Sequence, residues 1–267
     1  MLCFLPPLSY KEREWNVIRL LAFDECAEGR IVEVLGDLAG ADHIAVLVPG
    51  NDNHLGNYFD PNRSTRPRVN AMTVLQTMFE FSPQGRFAVV VWLGYRTPRG
   101  FVEAASRRLA QNGVDDLVRL THVLPRTAHI TLVGHSYGTV VCGLALARAR
   151  VDDCVVLGSP GMGVGSVAEL GFSGRLWAAL GEQDWIRFFP RTRWRDVGHG
   201  PSPLRAGFGA LRFATGPIPG HCSYYAKGSE SVRNIARICL GRYGEVSFAG
   251  RVGQHVLLDS GQVREAA

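Results

Sequence analysis

The sequence predicts an α/β fold, a mostly parallel central sheet with helices on both faces and a small cap, and three observations carry that prediction. Short β-type runs alternate with segments able to form helices, the pattern of a sheet wrapped by crossover connections. The runs end in glycine-bearing loops. One run, His129-Ile130-Thr131-Leu132-Val133, feeds Gly134-His135-Ser136-Tyr137-Gly138 and then a small-residue stretch of helical character from Thr139 to Ala149. Strand, tight turn and helix there follow one another without a gap.

The elements can be justified in order. Ile18 to Phe23 and Ile31 to Leu35 flank Asp24 to Arg30 at hairpin spacing and predict an antiparallel pair at the sheet edge. His43 to Val48 reads as a central strand running straight into Pro49-Gly50-Asn51-Asp52-Asn53-His54. Helical periodicity covers Asn70 to Phe81, and Phe87 to Trp92 is the next strand. Phe101 to Leu124 predicts one or two amphipathic helices, with Asn112-Gly113 as the expected break. Beyond the Ser136 turn, Asp153 to Leu157 leads into a glycine-rich loop over 158–165. Arg175 to Leu180 ends in the acid-bearing turn Gly181-Glu182-Gln183-Asp184. Leu211 to Thr215 leads through Gly216 to Gly220 to His221, and Ser229 to Leu240 predicts a closing helix capped by Ser229 or Ser231.

Composition bounds the function. A chain of 267 residues with 46% apolar content can bury one large core, and its glycines and prolines are scattered, without linker or repeat. A single domain over 1–267 is expected, with 165–205 as a cap within it. The formal charge of +5 suggests nucleic acid until the 29 basic residues are sorted: only Lys11 and Lys227 are lysines. The arginines are dispersed, and the densest group, Arg187, Arg191, Arg193 and Arg195, is interleaved with Phe188, Phe189, Trp194 and Asp196. Without a recognition module this reads as a solvated lid face, not a nucleic-acid surface. The six cysteines are widely spaced, with no C-x-x-C pair and no ligand spacing to histidine, so buried thiols of a reducing compartment are expected, and no metal. Residues 158–165 lack a lysine at Walker spacing, which argues against a phosphate cradle. No cofactor is expected. The apolar start, Met1 to Tyr10, is interrupted by Pro6 and Pro7 and meets Lys11-Glu12-Arg13-Glu14 at once, too short for a signal or a membrane span. A cytoplasmic protein with a small-molecule partner is the expectation; the oligomeric state is left open.

The chemistry centres on Ser136. A serine hydroxyl is a weak nucleophile at neutral pH and needs a base and amide donors placed around it. A sharp strand-to-helix turn presents it, with Gly134 and Gly138 keeping Cβ atoms away from the neighbouring elements. In open α/β sheets functional groups gather at the carboxyl ends of strands, where Ser136, Asp184 and His221 fall in that chain order. This is the order of the α/β-hydrolase fold. His221 would take the Ser136 proton, and Asp184 would fix the imidazole, with Glu182, Asp196 and Glu169 as rival acids. His135 is expected to pack or hydrogen-bond, because adjacent side chains in such a turn diverge. The amides of Tyr137 and Asn51 are the expected donors to an oxyanion. Asn53, His54 and Trp185 are expected to line the substrate site, and Phe188, Phe189 and Trp194 lean towards an apolar acyl group.

Val46-Leu47-Val48-Pro49-Gly50, Val91-Trp92-Leu93-Gly94-Tyr95, the Ser136 turn, Leu157-Gly158-Ser159-Pro160-Gly161, Phe208-Gly209-Ala210 and Gly220-His221 with Ser223-Tyr224 together resemble one group of sequences. It is a largely actinobacterial α/β-hydrolase family, long catalogued as a domain of unknown function. The resemblance covers about residues 20 to 240 and implies a serine-hydrolase-like enzyme with its triad at Ser136, Asp184 and His221. Two departures stand out. Many relatives look as if a long helical region precedes the hydrolase domain, whereas this chain begins almost at its first strand, as a free-standing enzyme would. The stretch from Asp52 to Arg63 also looks unusual beside the family pattern. The resulting expectation is hydrolysis of a carboxylic ester or thioester through an acyl-Ser136 intermediate. Acyl transfer or cyclisation with the same triad, and a non-catalytic binding protein on this fold, are the alternatives.

Overall fold

The computed structural model describes residues 6–15, 18–60 and 65–250. Nine strands form one sheet in the order β1-β2-β3-β5-β4-β6-β7-β8-β9. They are β1 (Arg13–Trp15), β2 (Ile18–Asp24), β3 (Arg30–Gly36), β4 (His43–Val48), β5 (Phe87–Leu93), β6 (His129–His135), β7 (Asp153–Leu157), β8 (Arg175–Ala179) and β9 (Leu211–Arg212). The first three are antiparallel to their neighbours, β3 pairs β5 antiparallel, and every pairing from β5 through β4 to β9 is parallel. The expected edge hairpin is therefore present as β2 and β3, while β1 is too short to register as a periodic run.

Among the described residues the α-helices are α1 (Leu55–Tyr58), α2 (Pro67–Phe81), α3 (Gly100–Ala104), α4 (Arg108–Val123), α5 (Gly138–Ala145) and α6 (Glu230–Cys239). Alternation along β4 sorts the core into two layers. Ile44, Val46 and Val48 face a cluster with Leu117, Leu120 and Val140 of α4 and α5, and Ala45 and Leu47 face one with Val74 and Met78 of α2 and Ile235 of α6. A strand buried on both faces must be apolar at every position, which is why His43 to Val48 carries no polar alternation. Pro67 starts α2 at the first helical position, where its missing N–H costs nothing, and Ser229 Oγ accepts from Val232 N at 3.2 Å to start α6.

Two expectations need correction. The helix break expected at Asn112-Gly113 does not occur: α4 is continuous, and a Cβ at Gly113 would lie 2.7 Å from Cβ of Tyr95, so that glycine serves close packing against β5's exit loop. The division falls instead between α3 and α4, at 105–107. Cysteine burial is also mixed. Cys142, Cys154 and Cys239 are buried free thiols, whereas Cys26 and Cys222 sit exposed in loops, after β2 and after β9. Cys3 lies outside the described residues.

The stretch 165–205 is divided by β8, a strand of the main sheet. Of its two flanks, the second crosses to α3: Ala105 O accepts from Gly198 N at 2.7 Å, Asp196 O accepts from Arg107 N at 3.0 Å, and His199 Nε2 lies 2.7 Å from Ala104 O. No helix among the described residues is long and apolar enough to cross a membrane.

Candidate active site

Ser136 occupies the turn between β6 and α5 with φ +54°, a left-handed conformation that β-carbon-bearing residues adopt at a cost of order 1–3 kcal/mol. Neighbouring contacts enforce it. A Cβ at Gly138 would lie 2.2 Å from Val48 O, and one at Gly50 would lie 2.8 Å from both His135 O and Ser136 Cβ. The turn and the loop after β4 thus touch through two positions that admit no side chain. Tyr137 anchors the turn from the other side: its hydroxyl donates to Ser106 O at 2.6 Å and accepts from Ala110 N at 3.1 Å, which also caps the start of α4.

Three elements distant in sequence meet at this turn. Ser136 Oγ, only 9% exposed as a residue, lies 2.8 Å from His221 Nε2 in the loop after β9. His221 Nδ1 lies 2.9 Å from both carboxylate oxygens of Asp184, in the loop after β8. Asp184 is fully buried and fully bonded: it also accepts from Ile186 N at 2.8 Å and from the Tyr224 hydroxyl at 2.5 Å. Burial pushes its carboxyl up, but hydrogen bonds from His221, Tyr224 and Ile186 N, with the His221 charge, outweigh this and hold it below the usual carboxylate range. The rival acids lie elsewhere. Glu182 is exposed, Glu169 accepts from Gly165 N, and Asp196 faces Arg107 and Arg108.

His135 does not contact the hydroxyl. Burial first, then the neighbouring His221, pushes its pKa down to about 3, so the ring is neutral. Its Nε2 lies 2.7 Å from His221 O, a contact that the Nε2–H tautomer satisfies by donating, and its ring lies 4.8 Å from the His221 ring. His135 therefore fixes the His221 backbone while the rest of the ring packs on Tyr224 and Tyr225.

The amides of Tyr137 and Asn51 donate to no group among the described residues. They adjoin each other, since the Cβ position of Gly50 is 3.1 Å from Tyr137 N. The loop after β4 is held by the Tyr95 hydroxyl, which donates to Pro49 O at 2.7 Å, and by Asn53 Nδ2, which donates to Gly50 O and Asn51 O at 3.0 and 2.8 Å. The Asn53 amide nitrogen is thereby committed to the loop's own backbone, and Asn53 with His135 and Tyr225 lines a cavity of about 30 Å³, room for about one water. His54 precedes α1 and donates its N–H to Asn57 Oδ1 at 3.1 Å, so it organises the start of that helix. Trp185, 42% exposed, lies with its ring 4.8 Å from His221 and edge-on to Phe101 at 5.2 Å.

The structure brings Ser136, Asp184, His221, Tyr137, Asn51 and Trp185 to one place. Asn53 and His54 sit in the same loop as Asn51 but spend their polar contacts on it. Tyr224 and Tyr95 stand within the motifs that carry the family resemblance, but the roles of their hydroxyls were not foreseen. Tyr224, three residues after His221, carried the only available signal, a phenol close in sequence to the base. A hydroxyl bonded to an imidazole that a carboxylate holds, beside two free amides, can be deprotonated as it attacks a carbonyl while the amides meet the developing charge.

A nucleophile-type serine turn at the carboxyl edge of a mostly parallel sheet, with acid and histidine from the exit loops of later strands, here β8 and β9, defines the α/β-hydrolase class of proteins. Residues 24–193 match the family model described as alpha/beta hydrolase, and the chain belongs to that family. An uncharacterized protein of Mycobacterium tuberculosis is 28% identical over 282 aligned residues, covering 91% of this chain and 42% of that protein. An uncharacterized protein of Mycobacterium bovis is 35% identical over 106 residues, covering 37% of this chain and 40% of that one. The chain thus spans less than half the length of the Mycobacterium tuberculosis relative. Among solved structures, Est1E from Butyrivibrio proteoclasticus with ferulic acid bound shares the fold with a TM-score of 0.51 at 13% identity, covering 86% of this chain and 99% of that one.

Proposed function

We propose that this chain is a serine hydrolase that cleaves a carboxylic ester or thioester through an acyl-Ser136 intermediate. The observation that carries the reading is the unbroken chain of contacts from Ser136 Oγ to His221 to Asp184, at 2.8 and 2.9 Å, beside the unpartnered amides of Tyr137 and Asn51. Ser136 Oγ forms a bond to the acyl carbon as its proton passes to His221 Nε2. The carbonyl oxygen takes the negative charge between the two amides. Collapse breaks the bond to the leaving oxygen or sulfur, which receives the proton from His221. Water, deprotonated by the same nitrogen, then attacks the acyl carbon and frees Ser136. Asp184 remains ionised throughout and stabilises the imidazolium. Trp185 forms a wall of the acyl site, and the flanks of β8, 165–174 and 180–205, serve as the cap. The buried free thiols of Cys142, Cys154 and Cys239 support a reducing, cytoplasmic location.

A fluorophosphonate probe tests the reading, since it forms a covalent adduct only with an activated serine. Stoichiometric labelling of the wild type and none of Ser136→Ala is the expected result. Equal labelling of both, or of neither, removes the enzymatic reading. Product analysis of a labelled thioester, with and without an added amine, then separates hydrolysis from acyl transfer.

A further inference from the structure

We propose that the segment from Trp185 to Val197, with the first turn of α3, is a docking surface for an anionic lipid layer, and that it brings the mouth of the Ser136 site against that layer. The evidence begins with exposure. Of the ten large apolar side chains exposed among the described residues, six lie in these two stretches: Phe101 62%, Val102 89%, Trp185 42%, Phe188 83%, Trp194 71% and Val197 56%. Local geometry groups them. Trp185 and Phe188 are the ends of a single 3₁₀ turn, where side chains three apart share a face, and Trp185 touches Phe101 of α3. Trp194 and Val197 face each other across a tight antiparallel bridge, and Val197 also bridges to Ser106 just beyond α3.

Arginines surround these apolar tips. Arg187, Arg191 and Arg193 contact only backbone carbonyls, of Gly181, of Ser159 and Ile186, and of Gly163, and the Arg195 guanidinium lies 4.9 Å from the centre of the Trp194 ring. Arg187, Arg193 and Arg195 have no ion pair with a carboxylate among the described residues, whereas Arg191 is partly buried and turned inward, where the Asp184 carboxylate acts on it. The acid within the segment, Asp196, faces Arg107 and Arg108 instead. The charge is therefore uncompensated and calls for a negative partner. The projecting indole and phenyl rings call for hydrocarbon beneath that charge. An anionic lipid layer supplies both over one continuous face; the bases of a single-stranded nucleic acid can stack on the rings but offer nothing to the exposed aliphatic side chains of Val102 and Val197. The location gives the surface a use. Trp185 joins it to the site, with its ring against His221, so docking would expose Ser136 to esters dissolved in the layer. That statement about substrate rests on the hydrolase reading; the docking itself does not.

The test is co-sedimentation of the intact chain with phosphatidylglycerol vesicles, compared with phosphatidylcholine vesicles, polyglutamate and a single-stranded oligonucleotide. Binding to phosphatidylglycerol vesicles that weakens with salt is expected. Arg187→Gln with Arg195→Gln should weaken it on the order of tenfold or more. Phe188→Ala with Trp194→Ala should weaken it by a similar factor. Failure to bind phosphatidylglycerol vesicles, indifference to the aromatic pair, or equal affinity for polyglutamate or the oligonucleotide overturns the proposal. Vesicle binding by a chain that no fluorophosphonate labels would leave the docking surface standing and remove the hydrolase reading; labelling without vesicle binding would do the reverse.

Discussion

Each end of the parallel strands holds a fully buried aspartate with a histidine and a tyrosine, yet the two ends surround the histidine differently. At the carboxyl end, Asp184 meets His221 and Tyr224. At the opposite end, where β6 and β7 begin, Asp153 accepts from Trp177 Nε1 at 2.8 Å and from the Tyr243 hydroxyl at 2.6 Å, and His129 Nε2 lies 2.9 Å away. The two carboxylates are equally buried. What differs is the far side of the imidazole. His221 turns its second nitrogen to a hydroxyl on a strained turn beside free amides, whereas the second nitrogen of His129 lies 3.7 Å from another carboxylate, Asp152. A buried acid beside a histidine and a tyrosine thus also occurs under the sheet with no hydroxyl on the histidine's far side, and there His129 Nε2 makes no hydrogen bond among the described residues. The comparison teaches that, in the proposed mechanism, reactivity would come from the loop ends that strands present at their carboxyl edge.

This contrast can be broken in four ways. The largest effect belongs to Ser136→Ala, expected to lower kcat/KM for an activated ester by about 10⁴-fold or more, while His129→Gln leaves it within about twofold. Comparable losses in both would erase the distinction. Next, Asp184→Asn should lower kcat by about 10⁴-fold with an unchanged circular dichroism spectrum, because it leaves the geometry but not the charge that holds the imidazole. Third, Asp153→Ala should cost about 3–5 kcal/mol in urea unfolding through the loss of a buried, multiply bonded carboxylate, and whatever folds should remain active. An active-site effect of Asp153→Ala larger than its effect on stability would reverse the assignment.

The smallest prediction concerns pH. The folded carboxyl of Asp184 lies below its unfolded value of about 3.9, so its contribution to stability is present above that value and is lost as pH falls through the folded one. The Tyr224 hydroxyl is one of the groups that lower it. Tyr224→Phe should therefore move the acid loss of stability to higher pH and reduce kcat by about tenfold. Tyr243→Phe, the same change at the other end, should leave the pH profile of kcat unmoved. A shift of equal size in both would show that the tyrosines act only by packing.

The Ser136 turn was legible because its determinants are local: two glycines at fixed spacing, a β-rich run before and small residues after. Asp184 and His221 were legible through strand order alone, since each follows a strand of the parallel half. Tyr224 and Tyr95 were not. Both act through hydroxyls that reach groups 40 and 46 residues away in the chain, and nothing in a tyrosine's neighbours announces where its oxygen will end. The roles of Asn53 and His54 were blurred for a related reason. A polar loop residue can turn inward to its own backbone or outward to a ligand, and only the folded loop decides. The strands at the edges were the least clear, with β1 spanning three residues and β9 two. Elements that short bury too little to impose a pattern on the sequence.

Gly158 has a consequence for how the histidine works. A single added carbon there would lie 2.7 Å from Asp184 Oδ2 and 3.0 Å from both Cε1 and Nδ1 of His221. The main chain of β7's exit thus abuts one rim of the imidazole where a side chain would otherwise stand. The main chain lies on that rim and the His135 ring lies 4.8 Å from the imidazole, so the His221 ring is packed from both directions. In the proposed mechanism the Ser136 proton would pass to Nε2, on a ring whose place beside Asp184 is kept open by the hydrogen that Gly158 carries instead of a side chain.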